Sequence, residues 1–241
     1  LQIEQANDRL NCMIIRLNDL YTTAGLHPVL LKGQGMAAYY RNPRHRQCGD
    51  IDIYLGEDDQ SKANSLLLNA GARKAGEESD KHASYKLEGV HIENHRLINR
   101  MNNPLANYCF TRLVSKWYPH GAEQFIGMPT PPPTFNALYI FLHAFEHFLG
   151  SGIGLRQLCD WCCFFERRNT EIDGPCLCRD LHRLGLFRAA CTFGYVAVNY
   201  LGLKPECLPF NTAPYRHLGE DLVKEIFATG NFGKYDKSEA K

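Results

Sequence analysis

The stretch that decides the fold spans residues 29–55, VLLKGQGMAAYYRNPRHRQCGDIDIYL. It opens on an apolar run, passes through a glycine-containing turn and a basic loop, and ends in alternating acidic and apolar residues. Successive side chains of a β-strand point to opposite faces, so Asp50 and Asp52 share one face of a predicted strand. Ile51 and Ile53 share the other face. The stretch therefore predicts a strand that gives one face to a core and presents two carboxylates on the other.

A pair of carboxylates on one face is costly to hold together unless a cation lies between them. Mg²⁺ is the hard, oxygen-seeking ion that suits such a pair, and it often accompanies nucleotide phosphates. A third carboxylate comes from a hairpin predicted over residues 83–95, with a two-residue Glu-Gly turn. Its second arm alternates, so Glu93 is expected beside Asp50 and Asp52. The alternative is that Glu93 is a solvent-facing strand residue with no role.

Two features that precede the acidic strand suit phosphate groups. A turn at Lys32, Gly33 and Gln34 connects the first predicted strand to a short helix, and its backbone N–H groups can face a phosphate. The loop that follows contains Arg44 and Arg46, whose guanidinium groups match phosphate oxygens. A solvated basic loop is the alternative. We favour a polyphosphate clamp because the loop leads directly into the paired aspartates.

The chain of 241 residues is long enough to bury a sizeable core, in one large domain or two modest ones. The proline-rich segment 128–133 is the clearest break and is interpreted as a linker. Residues 1–127 contain the predicted strands, and residues 134–241 are predicted to be helices joined by short loops, with a glycine-rich connector at 150–154. The predicted fold class is α+β, a small mixed β-sheet core with flanking helices followed by an α-helical bundle.

The composition argues against several classes of partner. The net charge is +1, and no basic stripe with interleaved aromatic residues is evident, so nucleic acid is not an expected partner. Several of the ten cysteines lie in apolar helical patterns. We also expect no secretory leader, and no apolar run is long enough to span a bilayer. The thiols are therefore predicted to be reduced and the location cytoplasmic. The start without Met and the charged tail at 235–241 suggest a portion of a longer protein.

Histidine and cysteine pairs in the helical half also raise a zinc site. His143 and His147 are one helical turn apart, and a C-x-x-C pair begins at Cys159. The cysteine pair lies within a predicted helix rather than a knuckle, so core thiols and hydrogen-bonded histidines are the preferred interpretation. Asp160 would need a partner if it were buried, and Arg156 is a candidate. Alternatively, one of the histidines or Arg156 reaches the cleft in which a substrate binds.

The order of these features resembles the DNA polymerase beta-like nucleotidyltransferase superfamily: a strand, a glycine turn, Asp-x-Asp on a second strand and a carboxylate on a later one. More narrowly, residues 1 to about 200 resemble a mostly bacterial family of uncharacterised nucleotidyltransferases, including the positions of His143, His147 and Asp160. The motifs that carry this resemblance are Leu-Leu-Lys-Gly at 30–33, Tyr-Tyr at 39–40, the basic loop with Arg46, Gly-Asp-Ile-Asp at 49–52 and Ile-Glu-Asn-His at 92–95.

The resemblance implies an ATP- or other NTP-binding transferase that moves a nucleoside monophosphate onto a hydroxyl or similar acceptor of a small molecule or protein. Asp50, Asp52 and Glu93 would hold two Mg²⁺ ions, with Mn²⁺ as an alternative. One ion would bind the triphosphate, and the other would lower the pKa of the acceptor hydroxyl for in-line attack on the α-phosphorus. Glu93 would also help to deprotonate the acceptor.

The resemblance further implies roles in phosphate binding. Gly33 and Gln34 would approach the β- and γ-phosphates through their backbone, and Lys32, Arg44 and Arg46 would neutralise phosphate charge in the transition state. The superfamily turn usually has Gly or Ser where this chain has Gln34. That departure keeps a non-catalytic nucleotide-binding or regulatory module open as an alternative. A third hypothesis is an interaction protein whose helical half is the functional part.

Overall fold

A computed structural model describes residues 2–76, 79–119, 123–150 and 155–229. The chain forms two compact units, Leu1–Pro132 and Pro133–Lys241. The predicted connector at 150–154 falls, except for its first residue, outside the described residues, as does the charged tail at 235–241.

The described helices and strands follow one another along both units. The helices are α1 (Gln2–Thr23), α2 (Gln34–Ala37), α3 (Gly56–Asn69), α4 (Pro104–Ser115), α5 (Pro133–Gly150), α6 (Leu155–Arg168), α7 (Gly174–Arg183), α8 (Phe187–Tyr200) and α9 (Arg216–Thr229). The strands are β1 (Val29–Leu30), β2 (Asp50–Tyr54), β3 (Arg73–Lys74), β4 (His82–Leu87), β5 (Val90–His95), β6 (Glu123–Phe125) and β7 (Met128–Thr130).

The first unit is built on a mixed sheet with strand order β1-β2-β5-β4-β3. Strand β2 runs parallel to β5, whereas the β1–β2, β5–β4 and β4–β3 pairs are antiparallel. A second sheet pairs β6 with β7. The predicted α+β class, with a small mixed sheet followed by helices, is therefore confirmed.

One face of this sheet forms the core of the first unit. Ile51 and Ile53 of β2 are fully buried in it, and each such side chain contributes roughly 1.5–3 kcal/mol to folding. Helix α1 packs against them through apolar residues that recur at helical spacing: Leu10, Ile14, Leu17 and Tyr21. The core thus fixes which way β2 faces and leaves its acidic side chains on the opposite face.

The hairpin of β4 and β5 has the two-residue turn that the sequence predicts. Glu88 and Gly89 both have positive φ, 49° and 85°, as a type I′ turn requires. The turn sets Leu87 opposite Val90 and, by counting outward, Ser84 opposite Glu93. The turn chemistry therefore fixes the face on which Glu93 lies.

The segment predicted as a linker, residues 128–133, contains regular structure on both sides of the boundary between the two units. Met128–Thr130 form β7, paired with β6 so that Pro129 lies opposite Gln124. A two-stranded sheet has only edge strands, where a proline without an N–H is tolerated. Pro133 begins α5, because the first turn of a helix does not need that N–H either. The prolines in this segment thus belong partly to regular structure.

The second unit is a set of helices with an aromatic core. Phe141 of α5 contacts Trp161 of α6 and Phe193 of α8, with ring centroids 5.5 and 5.4 Å apart. The indole N–H of Trp161 donates to the carbonyl of Ala137 at 3.0 Å, so the one polar atom of this buried ring is paired. None of the described helices has the length and apolarity that crossing a bilayer requires. All ten cysteines are described, and all are free thiols.

Candidate active site

Three carboxylates meet on the face of the sheet opposite the core. Asp50 and Asp52 point from β2, and the parallel register sets Glu93 of β5 directly beside Asp52. One oxygen from each of the three lies within 4.8 Å of the others. Asp52 is only 1% exposed, and the Glu93 side chain is 23% exposed. The structure therefore brings together the three residues that alternation along the strands predicts, and Glu93 is not merely a solvent-facing residue.

The charges of this cluster act on one another. The negative charge of Asp52 raises the pKa of Asp50 to about 6, burial adds to the effect, and the charge of Lys32 opposes it. A carboxyl with so high a pKa shows that negative charge is in excess here. The cluster is thus an environment that favours a bound cation.

Two basic side chains of the protein already approach Asp52. The Lys32 ammonium nitrogen lies 3.2 Å from Asp52 Oδ1. The Nε2 atom of His95 lies 3.0 Å from the same oxygen and 3.3 Å from Glu93 Oε2. Burial lowers the pKa of His95, but its hydrogen bonds to Asp52 and Glu93 outweigh burial and leave the pKa raised. His95 therefore orients both carboxylates. Sequence reasoning assigned it no role, although it lies two residues after Glu93 on the same face.

The glycine turn lies against the aspartates. Gly33 has φ 60°, and a Cβ atom there would lie 3.4 Å from the Asp50 carbonyl oxygen and 3.8 Å from Asp52 Oδ2. Only glycine adopts this backbone region easily. Gln34 is buried, and its Nε2 donates to Asn11 Oδ1 at 2.7 Å, so its side chain points towards α1. The side chain that departs from the superfamily pattern is thus turned into the protein.

The basic loop makes contacts of its own. Arg44 makes a bidentate salt bridge with Asp8 of α1. Its Nη2 donates to Oδ2 at 2.6 Å, and its Nε donates to Oδ1 at 3.2 Å. Arg46 is buried, lies over the ring of Tyr40, and donates to Cys48 Sγ at 2.8 Å. The structure thus directs the guanidinium of Arg44 to α1 rather than to the carboxylates.

Asn7 is a second residue that sequence reasoning missed. It is 1% exposed, and its Nδ2 donates to the carbonyls of Arg44 and Arg46 at 2.7 and 2.9 Å. Its own carbonyl accepts from Gln34 Nε2 at 3.4 Å. Asn7 therefore ties the basic loop and the glycine turn to one helix. One feature of the sequence could have pointed to Asn7: it is a polar residue one helical turn before Leu10, on the face of α1 that carries the apolar residues.

Strand β5 is held from the core side by Asn94, which is fully buried between Glu93 and His95. Its Oδ1 accepts from the Tyr21 hydroxyl at 3.0 Å, and its Nδ2 donates to Asn64 Oδ1 at 3.0 Å. Its carbonyl accepts from Gln60 Nε2 at 2.6 Å. Such a satisfied network fixes the strand that carries Glu93 and His95.

The other predicted residues lie in the second unit. The rings of His143 and His147 are 4.5 Å apart. Asp160 is buried, and its pairing with Arg156 stays a prediction. Burial raises the pKa of the Cys159 thiol, which suits a core thiol. Both described groups that could hold a metal ion lie in the first unit.

The chain belongs to a family described as uncharacterised nucleotidyltransferase, whose sequence model matches residues 1–202. The resemblance drawn from the motifs is therefore confirmed, and the protein is a nucleotidyltransferase. Membership of this family implies a nucleoside triphosphate as substrate, and such enzymes generally use divalent metal ions.

Among solved structures, the chain is similar to the antibiotic-resistance factor ANT(2'')-Ia, solved in solution, at 12% identity and a TM-score of 0.48. That match covers 81% of this chain and 97% of the other. Comparison with curated proteins gave no match.

Proposed function

We propose that the first unit is the catalytic domain and that it moves a nucleoside monophosphate from a nucleoside triphosphate to a hydroxyl or similar acceptor on a small molecule or protein. The observation that carries this proposal is the convergence of Asp50, Asp52 and Glu93 on one point of the sheet. Because Asp52 is buried and flanked by Glu93 in register, the arrangement is built into the fold rather than formed by exposed, mobile side chains.

The donor set fits Mg²⁺, and equally Mn²⁺. All three side chains offer carboxylate oxygens, which are the ligands these ions prefer. The raised pKa of Asp50 reflects an excess of negative charge that a divalent ion would neutralise. Bound at Asp50, Asp52 and Glu93, two such ions would supply charge neutralisation at the triphosphate and acidify the acceptor hydroxyl.

The turn supplies the remaining contacts to the nucleotide. Gly33 keeps the chain free of a side chain where it approaches Asp52, so backbone N–H groups of Gly33 and Gln34 can meet the β- and γ-phosphates. Lys32 is 22% exposed and sits at Asp52, from which its ammonium can turn to a phosphate oxygen. Asn7 holds the backbone of Arg44 and Arg46 beside this turn. In the free protein Arg44 is paired with Asp8, so a role of either guanidinium in phosphate binding stays a prediction and requires that the side chain turn to the nucleotide.

Glu93 also suits the acceptor side of the reaction. It is more exposed than Asp52, and His95 Nε2 lies 3.3 Å from its carboxylate. A proton released by the acceptor can be held by this carboxylate–imidazole pair while the oxygen attacks the α-phosphorus in line and pyrophosphate leaves. His95 acts here through Glu93 and is a positioning residue.

The experiment is label transfer from nucleoside triphosphates that carry the label in the α-phosphate. Each of the four ribonucleotides is incubated with the protein, Mg²⁺ and pools of hydroxyl-bearing small molecules or proteins, and pyrophosphate and labelled product are measured. We expect one acceptor class to be labelled by the wild type and not by Asp52→Asn. Binding of every nucleotide with no transfer to any pool would instead indicate the non-catalytic module.

A further inference from the structure

We propose that His82, Glu93 and His95 form a second metal site, which takes a transition-metal ion such as Zn²⁺ and shares Glu93 with the carboxylate cluster. The site itself follows from side-chain geometry and needs no assumption about the reaction. Only its consequence for activity rests on the proposed function.

The hairpin register creates this site. In the antiparallel β4–β5 pair, His82 lies opposite His95, and Glu93 is two residues before His95 on the same face. The Nε2 atoms of His95 and His82 lie 3.3 and 3.7 Å from Glu93 Oε2. The two imidazole rings are 4.8 Å apart between centroids, and the three ligand atoms all lie within 4.8 Å of one another. Three donors from two paired strands therefore surround one point.

The spacing suits a small divalent ion. Metal–ligand bonds of about 2.1 Å at tetrahedral angles separate the ligand atoms by about 3.4 Å. The two contacts to Glu93, 3.3 and 3.7 Å, already bracket that separation. An ion would need only a small closure of His82 towards His95, and His82 lies at the start of β4 with 27% of its side chain exposed. The ion can thus enter from the His82 side.

The ligand types select the metal. Two imidazoles and one carboxylate form a set that Zn²⁺, Co²⁺ and Fe²⁺ accept, whereas Mg²⁺ prefers oxygen ligands throughout. The all-carboxylate cluster beside it has the opposite preference. One face of the sheet therefore carries two adjoining sites of different selectivity, joined by Glu93.

Sharing a ligand makes the two sites antagonistic. An ion held by His82, Glu93 and His95 draws the Glu93 carboxylate away from Asp50 and Asp52, and it occupies the imidazole that orients Asp52. If the proposed function is right, Zn²⁺ at this site therefore inhibits transfer, and excess Mg²⁺ with nucleotide weakens Zn²⁺ binding.

The test uses Co²⁺ as a coloured probe with the full chain, titrated in the absence of Mg²⁺ and nucleotide. The ten free thiols can also bind Co²⁺, but thiolate ligation adds an intense near-ultraviolet band that imidazole and carboxylate ligands lack. The variant is His82→Ala. The matched control is His91→Ala, which removes an exposed imidazole from the same face of β5. Thermal unfolding verifies that each variant folds.

We expect His82→Ala to weaken the thiolate-free Co²⁺ binding by more than about 10-fold, since loss of even an outer-shell partner costs about 10–100-fold. His91→Ala should bind as the wild type does. Asp50→Asn should bind Co²⁺ as the wild type does, but Mg²⁺ should no longer weaken that binding. Because Asp50 belongs only to the carboxylate cluster, this variant distinguishes failure of the second metal site from failure of the proposed function. Equal Co²⁺ binding by the wild type and His82→Ala, or a spectrum of thiolate ligation alone, would overturn the proposal.

Discussion

Asp52 and Glu93 are direct neighbours in the parallel register of β2 and β5, and His95 Nε2 lies within hydrogen-bond distance of both carboxylates. A buried aspartate, a second carboxylate and an imidazole are thus held by the central strand pair of the sheet. The residues around Asp52 and Glu93 give four predictions. Each compares two variants or two conditions, so that its result can be distinguished from a general loss of stability.

The first prediction concerns Asp50 and pH in the metal-free protein. Its pKa is raised from 3.8 to about 6, so between these values the folded protein binds more protons than the unfolded chain. The free energy of unfolding therefore falls as pH rises through this window and stays lower above it. Asp50→Asn should stabilise the metal-free protein at pH 7 by up to about 3 kcal/mol, with little effect at pH 4.

Chemical denaturation of both proteins at the two pH values measures this difference. Saturating Mg²⁺ should stabilise the wild type at pH 7 and leave Asp50→Asn nearly unaffected. A variant less stable than the wild type at pH 7 without metal would contradict the electrostatic account of the cluster.

The second prediction separates two roles of Lys32. In the free protein its ammonium competes with a metal ion for Asp52, and in the complex it would neutralise phosphate. Lys32→Met should therefore strengthen binding of Mg²⁺ alone and weaken binding of Mg²⁺ with a non-hydrolysable nucleoside triphosphate. Calorimetry measures both, with the exposed Lys74→Met as control. Weakening of both affinities would show that Lys32 supports the site structurally and does not contact phosphate.

The third prediction concerns the glycine turn. Gly33→Ala places a Cβ in a backbone region that costs about 1–3 kcal/mol, and sets it against Asp50 and Asp52. We expect lower stability and weaker nucleotide binding. The matched control is Gly71→Ala, which has φ 92° and open space around its Cβ. Gly71→Ala should lose stability but keep nucleotide affinity; equal affinity losses in the two variants would argue against phosphate contact at the turn.

The fourth prediction concerns Asn7. Asn7→Ala leaves the carbonyls of Arg44 and Arg46 without their donor, at a cost of about 1–3 kcal/mol for a buried group left unsatisfied. The loop is then less well positioned, so KM for the nucleotide should rise while kcat changes less. Asn69→Ala, at the exposed end of α3, is the control. An unchanged KM would show that the loop is held without Asn7 or does not contact nucleotide.

Local geometry explains what the sequence could predict. Alternation along β2 and β5 assigns Asp50, Asp52 and Glu93 to faces without knowledge of the rest of the fold. The hairpin turn at Glu88 then sets the register, because its two central residues must both adopt positive φ. The core face of β2 and the three carboxylates could therefore be predicted from short stretches.

Contacts between distant segments explain what the sequence did not show. The fork of Arg44 onto Asp8 and the bonds of Asn7 to the basic loop span more than thirty residues. The pairing of His82 with His95 follows from the hairpin register, but the hairpin predicted over residues 83–95 stops one residue short of His82. Pro129 lies in a strand because β7 pairs on one side only, with β6, so its other edge needs no N–H from the proline. The proline-rich composition of the segment does not reveal this pairing.

The central claim is that Asp50, Asp52 and Glu93 hold the ions needed for nucleotidyl transfer. The most direct measurement is transfer of α-phosphate label by the wild type, Asp52→Asn and Asp58→Asn, the last changing an exposed carboxylate of α3. We predict Mg²⁺-dependent transfer by the wild type and Asp58→Asn, and a loss of at least about 10²–10³-fold in Asp52→Asn. Transfer by Asp52→Asn at the wild-type rate would contradict the account.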